Sequence, residues 1–316
     1  TQHAHSVGAK VLLVGDPRQL DSVESGGAFG LISSTLGEEA AELVEVRRFT
    51  NKWERTASLA LRLGNTDVLD IYEAEQRISG GEHEHMLDQV YAGWLADTRA
   101  GLSSLMIAQT GEAVTALNLR ARLDRIKTGE VNPMRSRRLH DGTEASTGDR
   151  IITRRNNRRL RTGMFSWVKN GDLWDVVATH QDGSMSVART RRRGGAIRLP
   201  ASYVTEHVEL AYAVTAHRAQ GTTVDTAHAL VHWIDVTREA LYVMLTRGRS
   251  SNRVYVSTDQ AHLEEHQHKP DQEVTARTVL EAVLSHRSAA LSAHETITAE
   301  QEAWSNIGQL TAEYDM

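Results

Sequence analysis

The strongest constraint on this chain is an alternation: short, almost wholly apolar runs ending in turns, followed by segments with helical spacing. Lys10-Val11-Leu12-Leu13-Val14 runs straight into Gly15-Asp16-Pro17. Ser103-Ser104-Leu105-Met106-Ile107-Ala108 precedes Gly111 to Ile126, where Val114, Leu117, Leu119 and Leu123 recur near the helical period. Runs that are apolar on both faces belong to strands buried on both sides, the habit of parallel sheets covered by helices. A strand-like Ala41-Glu42-Leu43-Val44-Glu45-Val46 leads into a helix carrying Trp53, Leu59 and Leu61. Val208 to Gly221, Ala227 to Val231 and Arg253 to Val256 continue the pattern. The expected fold is α/β, a parallel-sheet domain.

Between about Thr147 and Val204 the texture changes. Asp149 to Thr153, Leu173 to Val177, Ser184 to Val187 and Ala196 to Leu199 are short strands separated by Gly, Asp and Asn turns, which predicts a small antiparallel β-barrel inserted into the α/β domain. After Ser257 the chain turns polar, with helices expected around Glu273–Ser285 and Thr298–Tyr314.

The net charge of −5 argues against a nucleic-acid partner only if it is evenly spread. It is not: Arg135 to Arg198 holds fifteen Lys/Arg against six Asp/Glu, a local excess of +9 that leaves −14 for the rest. A basic island on an acidic chain suits a surface that tracks phosphates, although a solvated Arg-rich loop system would give the same count. No run of eighteen apolar residues occurs, so no membrane span is expected, and a cytoplasmic location is. With no cysteine, disulfides and thiolate metal ligands are excluded.

Three strings carry candidate chemistry. Gly15-Asp16-Pro17-Arg18-Gln19-Leu20 follows the first apolar run, at the strand end where open α/β sheets place ligands. There Gln19 can hydrogen-bond a phosphate oxygen or water and Asp16 can hold a turn or a metal-bound water, yet such a turn alone is commonplace. Arg47-Arg48-Phe49 and Leu245-Thr246-Arg247-Gly248-Arg249 offer arginines, whose planar fork suits charge on a transferred phosphoryl group. Singly, each could be a surface or salt-bridge residue. The third string, Thr215-Ala216-His217-Arg218-Ala219-Gln220-Gly221-Thr222-Thr223-Val224-Asp225, packs hydroxyl, imidazole, guanidinium and amide groups around a glycine. It can hold a nucleic-acid phosphate through Thr215 and His217 and pass a shift of that contact to a nucleotide site beside Gln220 and Gly221.

In family order these strings resemble motif III (Leu13 to Leu20), motif IV (Arg47-Arg48-Phe49), motif V (Thr215 to Gly221) and motif VI (Leu241 to Arg249) of superfamily 1 helicases, RecD-like branch. Trp53-Glu54-Arg55, Ile71 to Ala74, Leu117-Asn118 and Thr222 to Asp225 narrow the resemblance to the helicase part of conjugative relaxases of the TraA/TrwC type. The RecD-type exonuclease V alpha subunit shares the main motifs. The resemblance implies a RecA-like motor domain with an inserted Src-homology-3-like barrel: residues 1–36 as a strip of the first motor domain, 37–146 and 205–258 as the second, 147–204 as the barrel and 259–316 as a helical tail. Gln19, Arg48 and Arg247 would be the catalytic groups, the spacing from Leu43 favouring Arg48 over Arg47. Gly15, Asp16, Gln220 and Gly221 would serve ATP binding and coupling. Thr215, His217, Arg218, Arg154, Arg155, Arg158 and Arg159 would contact single-stranded DNA, with Trp167 or Trp174 as a stacking surface unless barrel packing claims them.

The departures are as informative. No Gly-x-x-x-x-Gly-Lys-Ser/Thr loop is present, nor an acidic pair ahead of motif III for magnesium. ATP and Mg2+ are therefore expected only with an N-terminal motor half, and a relaxase domain is a further expected partner. Thr223 stands where many relatives carry a ribose-reading glutamate. A non-catalytic single-stranded-DNA-binding or docking module is the alternative. His83 and His85, like His266 and His268, are expected in solvated loops rather than in a metal site.

Overall fold

A computed structural model of the chain describes residues 4, 6–16, 18–20, 28–37, 46–163, 166–190, 195–232, 236–259 and 274–286. The chain divides into two compact units, one of Thr1–Glu45 with Arg287–Met316 and one of Val46–His286.

In the first unit the described residues include helix α1 (Ala28–Leu36) and no strand. The buried strand expected at Lys10–Val14 is corrected: the segment is irregular, with Leu12 86% and Val14 80% exposed. A parallel strand exists through ladder bonds to neighbours, and no strand lies beside this one among the described residues. The strand expected at Ala41–Val46 lies, except for Val46, outside the described residues, as does the helix expected at Thr298–Tyr314.

The second unit opens with α2 (Lys52–Leu63), closed by Gly64 at φ +77°, and α3 (Val68–Ala74). Next come β1 (Ile78–Gly81), α4 (His83–Arg99), β2 (Ser104–Ala108) and α5 (Gly111–Lys127). Helix α5 forms where its ends are written for it: the Thr110 hydroxyl accepts from the Ala113 amide at 3.2 Å, with Glu112 in the first turn and Arg125 and Lys127 in the last. The next stretch holds β3 (Arg137–Arg138), β4 (Glu144–Ala145), β5 (Arg150–Thr153), β6 (Asn157–Gly163), β7 (Ser166–Val168), β8 (Leu173–Thr179), β9 (Met185–Arg189), β10 (Ile197–Leu199), α6 (Ala201–His207) and β11 (Val208–Leu210). The chain then runs through β12 (Ala213–Thr215), α7 (Ala216–Ala219), β13 (Val224–Val231), α8 (Arg238–Met244), β14 (Gly248–Ser257) and α9 (Ala276–Ser285).

Strands β1, β14, β13, β2 and β12 form one all-parallel sheet in that order, packed with helices: a RecA-like α/β layer. Every residue of β2 is buried, which is why its sequence shows no alternation. Helix α4 lays Met86, Val90, Tyr91 and Trp94 into the core that the sheet shares with the inserted strands. The inserted strands form a small five-stranded antiparallel sheet, β10-β9-β8-β5-β11, beside a β6–β7 hairpin. One sequence expectation changes here: Val208 does not resume the parallel pattern, because β11 runs antiparallel to β5 and the chain re-enters the motor sheet only at β12.

Tyr212, at that re-entry, is held from two sides. The Asn118 side chain accepts from the Tyr212 and Ala213 amides at 3.0 and 2.8 Å and donates to the Ala213 carbonyl at 2.9 Å. The Tyr212 hydroxyl donates at 2.7 Å to buried Asp149, which also takes Arg122 at 3.0 Å. These bonds fix the inserted sheet against the start of the Thr215 loop.

Candidate functional site

In the first unit, the turn after Val14 is built by Asp16. Its carboxylate accepts from the Arg18 amide and from Gln19 Nε2, both at 3.1 Å. Gln19 is half-buried, and a Cβ on Gly15 would come within 3.0 Å of the Phe29 ring.

In the second unit, the arginine strings converge. Residues 48–54 dock on residues 246–252: the Thr50 amide donates to the Arg249 carbonyl at 2.8 Å, and Asn252 Nδ2 donates to Glu54 at 3.1 Å. Arg48 donates to the Thr246 carbonyl, while Arg47 is exposed. Arg247 is 1% exposed, its guanidinium donating to the Val243 carbonyl at 2.8 Å and to the Thr246 hydroxyl at 2.7 Å. Neither Arg48 nor Arg247 pairs with a carboxylate among the described residues. Burial, reinforced by the neighbouring Arg48 charge, holds Arg247 down at about 9, and burial lowers Arg48 as well. Two adjacent, desolvated cations without a carboxylate partner among the described residues are disfavoured electrostatically, and a nearby anion would relieve that.

The Thr215 loop adjoins this pair, because the Val224 amide donates to the Arg247 carbonyl at 3.1 Å. Thr215 caps α7, accepting from the Arg218 amide at 3.4 Å; His217 is exposed and Gln220 half-buried. Gly221 sits at φ +82°, the left-handed region where a Cβ is costly. A cleft of about 460 Å³ opens alongside, lined by Thr222, Thr223, Asp225 and Arg249 on one side and Arg150 and Arg189 on the other.

The basic island divides. Arg154 reaches Glu209 at 2.9 Å, as Arg218 does from α7, and Arg155 faces His207 Nε2 at 3.2 Å. On the β6–β7 hairpin, Arg158 and Arg159 are exposed, and the Trp167 ring lies under both Arg158, at 5.3 Å, and Lys169, at 5.6 Å. Trp174 is core, its indole donating to the Thr153 hydroxyl at 3.3 Å. Trp167 is therefore the half-exposed one of the two tryptophans.

Sequence reasoning missed Asn252, a buried polar group whose only signal is its pairing with Glu54 across 198 positions. It also missed His228, buried with Nε2 2.8 Å from Asp97 and Nδ1 3.0 Å from the Tyr255 hydroxyl. The solvated loop expected at His83 is corrected: His83 starts α4, its amide donating to Asp259 at 2.8 Å because the helix begins directly after β1. His266 and His268 lie outside the described residues. Among the described residues no group of three His, Cys, Asp or Glu could hold a metal, and no helix is long and apolar enough to cross a membrane.

A family model described as an AAA domain matches residues 1–83. The chain is 32% identical over 256 residues to the conjugal transfer protein TraA of Rhizobium radiobacter, covering 79% of this chain and 22% of that protein. It is 28% identical over 265 residues to the RecBCD enzyme subunit RecD of Mycolicibacterium smegmatis, covering 78% and 45%. A crystal structure of Pif1 helicase from Bacteroides in complex with ADP-AlF3 and ssDNA overlaps 85% of this chain and 64% of that one, with a TM-score of 0.48 and 18% identity. The chain thus spans 22% of the length of the TraA protein it matches. With the helicase motifs in order along the sequence and the likeness to TraA running over 256 residues, the chain is TraA-like and similar to superfamily 1 helicases.

Proposed function

We propose that this chain is the sensing half of an ATP-dependent motor that moves on single-stranded DNA, acting in conjugative DNA transfer in the cytoplasm. The observation that carries the reading is the pair of half-buried Arg48 and buried Arg247, two cations with no carboxylate partner among the described residues. They fit the γ-phosphate side of a nucleotide site. A phosphate-binding loop and an acidic pair on another segment would hold ATP and Mg2+, since this sequence has neither. ATP hydrolysis would supply the energy. Arg48 and Arg247 would stabilise the charge that develops, the loop of Thr215, His217, Gln220 and Gly221 would connect it to DNA, and Gln19, in the other unit, would serve as a γ-phosphate contact of the motor. A partner segment carrying that loop, together with a relaxase domain, completes the proposed assembly.

The test is reconstitution: the chain joined to the preceding motor segment, with ATP turnover measured with and without oligonucleotide. DNA-stimulated turnover that Arg247→Ala lowers by about three orders of magnitude is expected. An Arg247→Ala variant that turns over normally would sink the reading.

The exposed Arg158–Trp167–Lys169 cluster favours a second reading, in which the chain binds single-stranded DNA without turnover. Salt-sensitive oligonucleotide binding that nucleotide and the partner segment leave unchanged would select it.

A further inference from the structure

We infer that Glu209 stands in for a nucleic-acid phosphate, holding Arg154 and Arg218 in a latch that an incoming strand must open. The inference rests on the reading that this unit binds single-stranded nucleic acid.

Glu209 is the middle residue of β11, paired with Ile152 of β5, and its side chain is 4% exposed. One carboxylate oxygen lies 2.9 Å from Arg154, one residue past the end of β5, and the other accepts from Arg218 in α7. Both arginines keep about a third of their side chains exposed, so each has one edge on Glu209 and another toward solvent. A carboxylate and a phosphodiester offer the same pair of acceptor oxygens to a guanidinium fork. One carboxylate shared between two guanidinium groups satisfies neither alone, and the Asp141 charge acts on the same pair, so an incoming phosphate competes with carboxylates for both arginines.

The latch also has a mechanical side. Arg154 belongs to the inserted sheet, while Arg218 shares α7 with His217 and has its amide on the Thr215 hydroxyl. The carboxylate ties the insertion directly to the loop proposed to touch DNA. Burial raises Glu209 and lowers Arg218, each opposed by the other's charge, so the pair is held by mutual neutralisation. A phosphate that takes either arginine must leave Glu209 under-paired, and the tethered carboxylate competes at high effective concentration. Glu209 therefore weakens nucleic-acid binding while it stiffens the junction.

The test uses the full chain and a fluorescent oligothymidylate, with anisotropy titrations at several NaCl concentrations. Glu209→Gln should bind at least roughly fivefold more tightly at low salt than wild type. Its slope of log affinity against log salt should steepen by about 1.4, two phosphate contacts at about 0.7 each. If wild type binds and Glu209→Gln matches it in affinity and slope, the latch is wrong and the proposed function stands. If neither chain binds, both fail; if only Glu209→Gln binds, the latch is supported. Should the variant fail to fold by circular dichroism, arginine side-chain NMR on wild type decides instead. The Arg158 resonance should move with the first additions of oligonucleotide while those of Arg154 and Arg218 stay put. Early movement of the latter two would overturn the latch.

Discussion

Arg48 reaches across nearly two hundred residues of sequence to donate a hydrogen bond to the carbonyl of Thr246, immediately before Arg247. That bond puts a second cation beside a buried one, an arrangement that costs stability until an anion arrives. Arg247→Met should therefore raise the melting temperature at pH 7, by an amount equivalent to roughly 2 kcal/mol, while abolishing turnover in the reconstituted motor. The pH dependence has a definite sign. The folded protein holds the Arg247 proton less tightly, at about 9, than an unfolded chain holds an ordinary guanidinium proton. The penalty is thus complete below about 9 and relieved as pH rises through that value. Differential scanning calorimetry of both proteins at pH 7 and pH 10 should show the gap narrowing at the higher pH. A gap that stays constant or widens would contradict this account.

Asn118→Ala should destabilise the chain by on the order of 2–4 kcal/mol, because it strands the amides of Tyr212 and Ala213 and the Ala213 carbonyl in the core. Urea denaturation measures the loss. Asn118→Asp should recover little of it, since a carboxylate cannot donate to the Ala213 carbonyl.

Trp167→Ala and Arg158→Gln should each weaken oligonucleotide binding. The tryptophan change should cost about 1–3 kcal/mol if bases stack on that ring. Only the arginine change should flatten the salt dependence. Trp174→Ala serves as the contrast, since its ring is core and its loss should appear in the melting temperature. Equal binding by Trp167→Ala and wild type would remove the hairpin from the interface.

Gly221→Ala should cost about 1–2 kcal/mol through backbone strain alone, because its φ is +82° and nothing lies within 4 Å of an added Cβ. The reconstituted motor should lose coupling more than it loses DNA affinity. Comparing oligonucleotide binding with DNA-stimulated turnover in the same variant separates the two.

How much of this was legible in the sequence depends on the range of the interaction. Strand β2 and helix α5 announce themselves through local apolar runs and a Thr cap. β11 was misassigned because a three-residue apolar strand reads alike whether its neighbour is parallel or antiparallel. The division of the basic island into latch and hairpin was invisible for a related reason. Arg154 and Arg158 look equivalent in sequence, and only Glu209, brought in by β11 pairing, tells them apart.

The uncovered stretch from Val11 to Val14 has a practical consequence. Four consecutive aliphatics facing water, without proline or charge among them, make an adhesive segment ready to pair with any open sheet edge. Handled by itself, this polypeptide should self-associate through that stretch as its concentration rises. A single lysine at Leu12 should keep it dispersed.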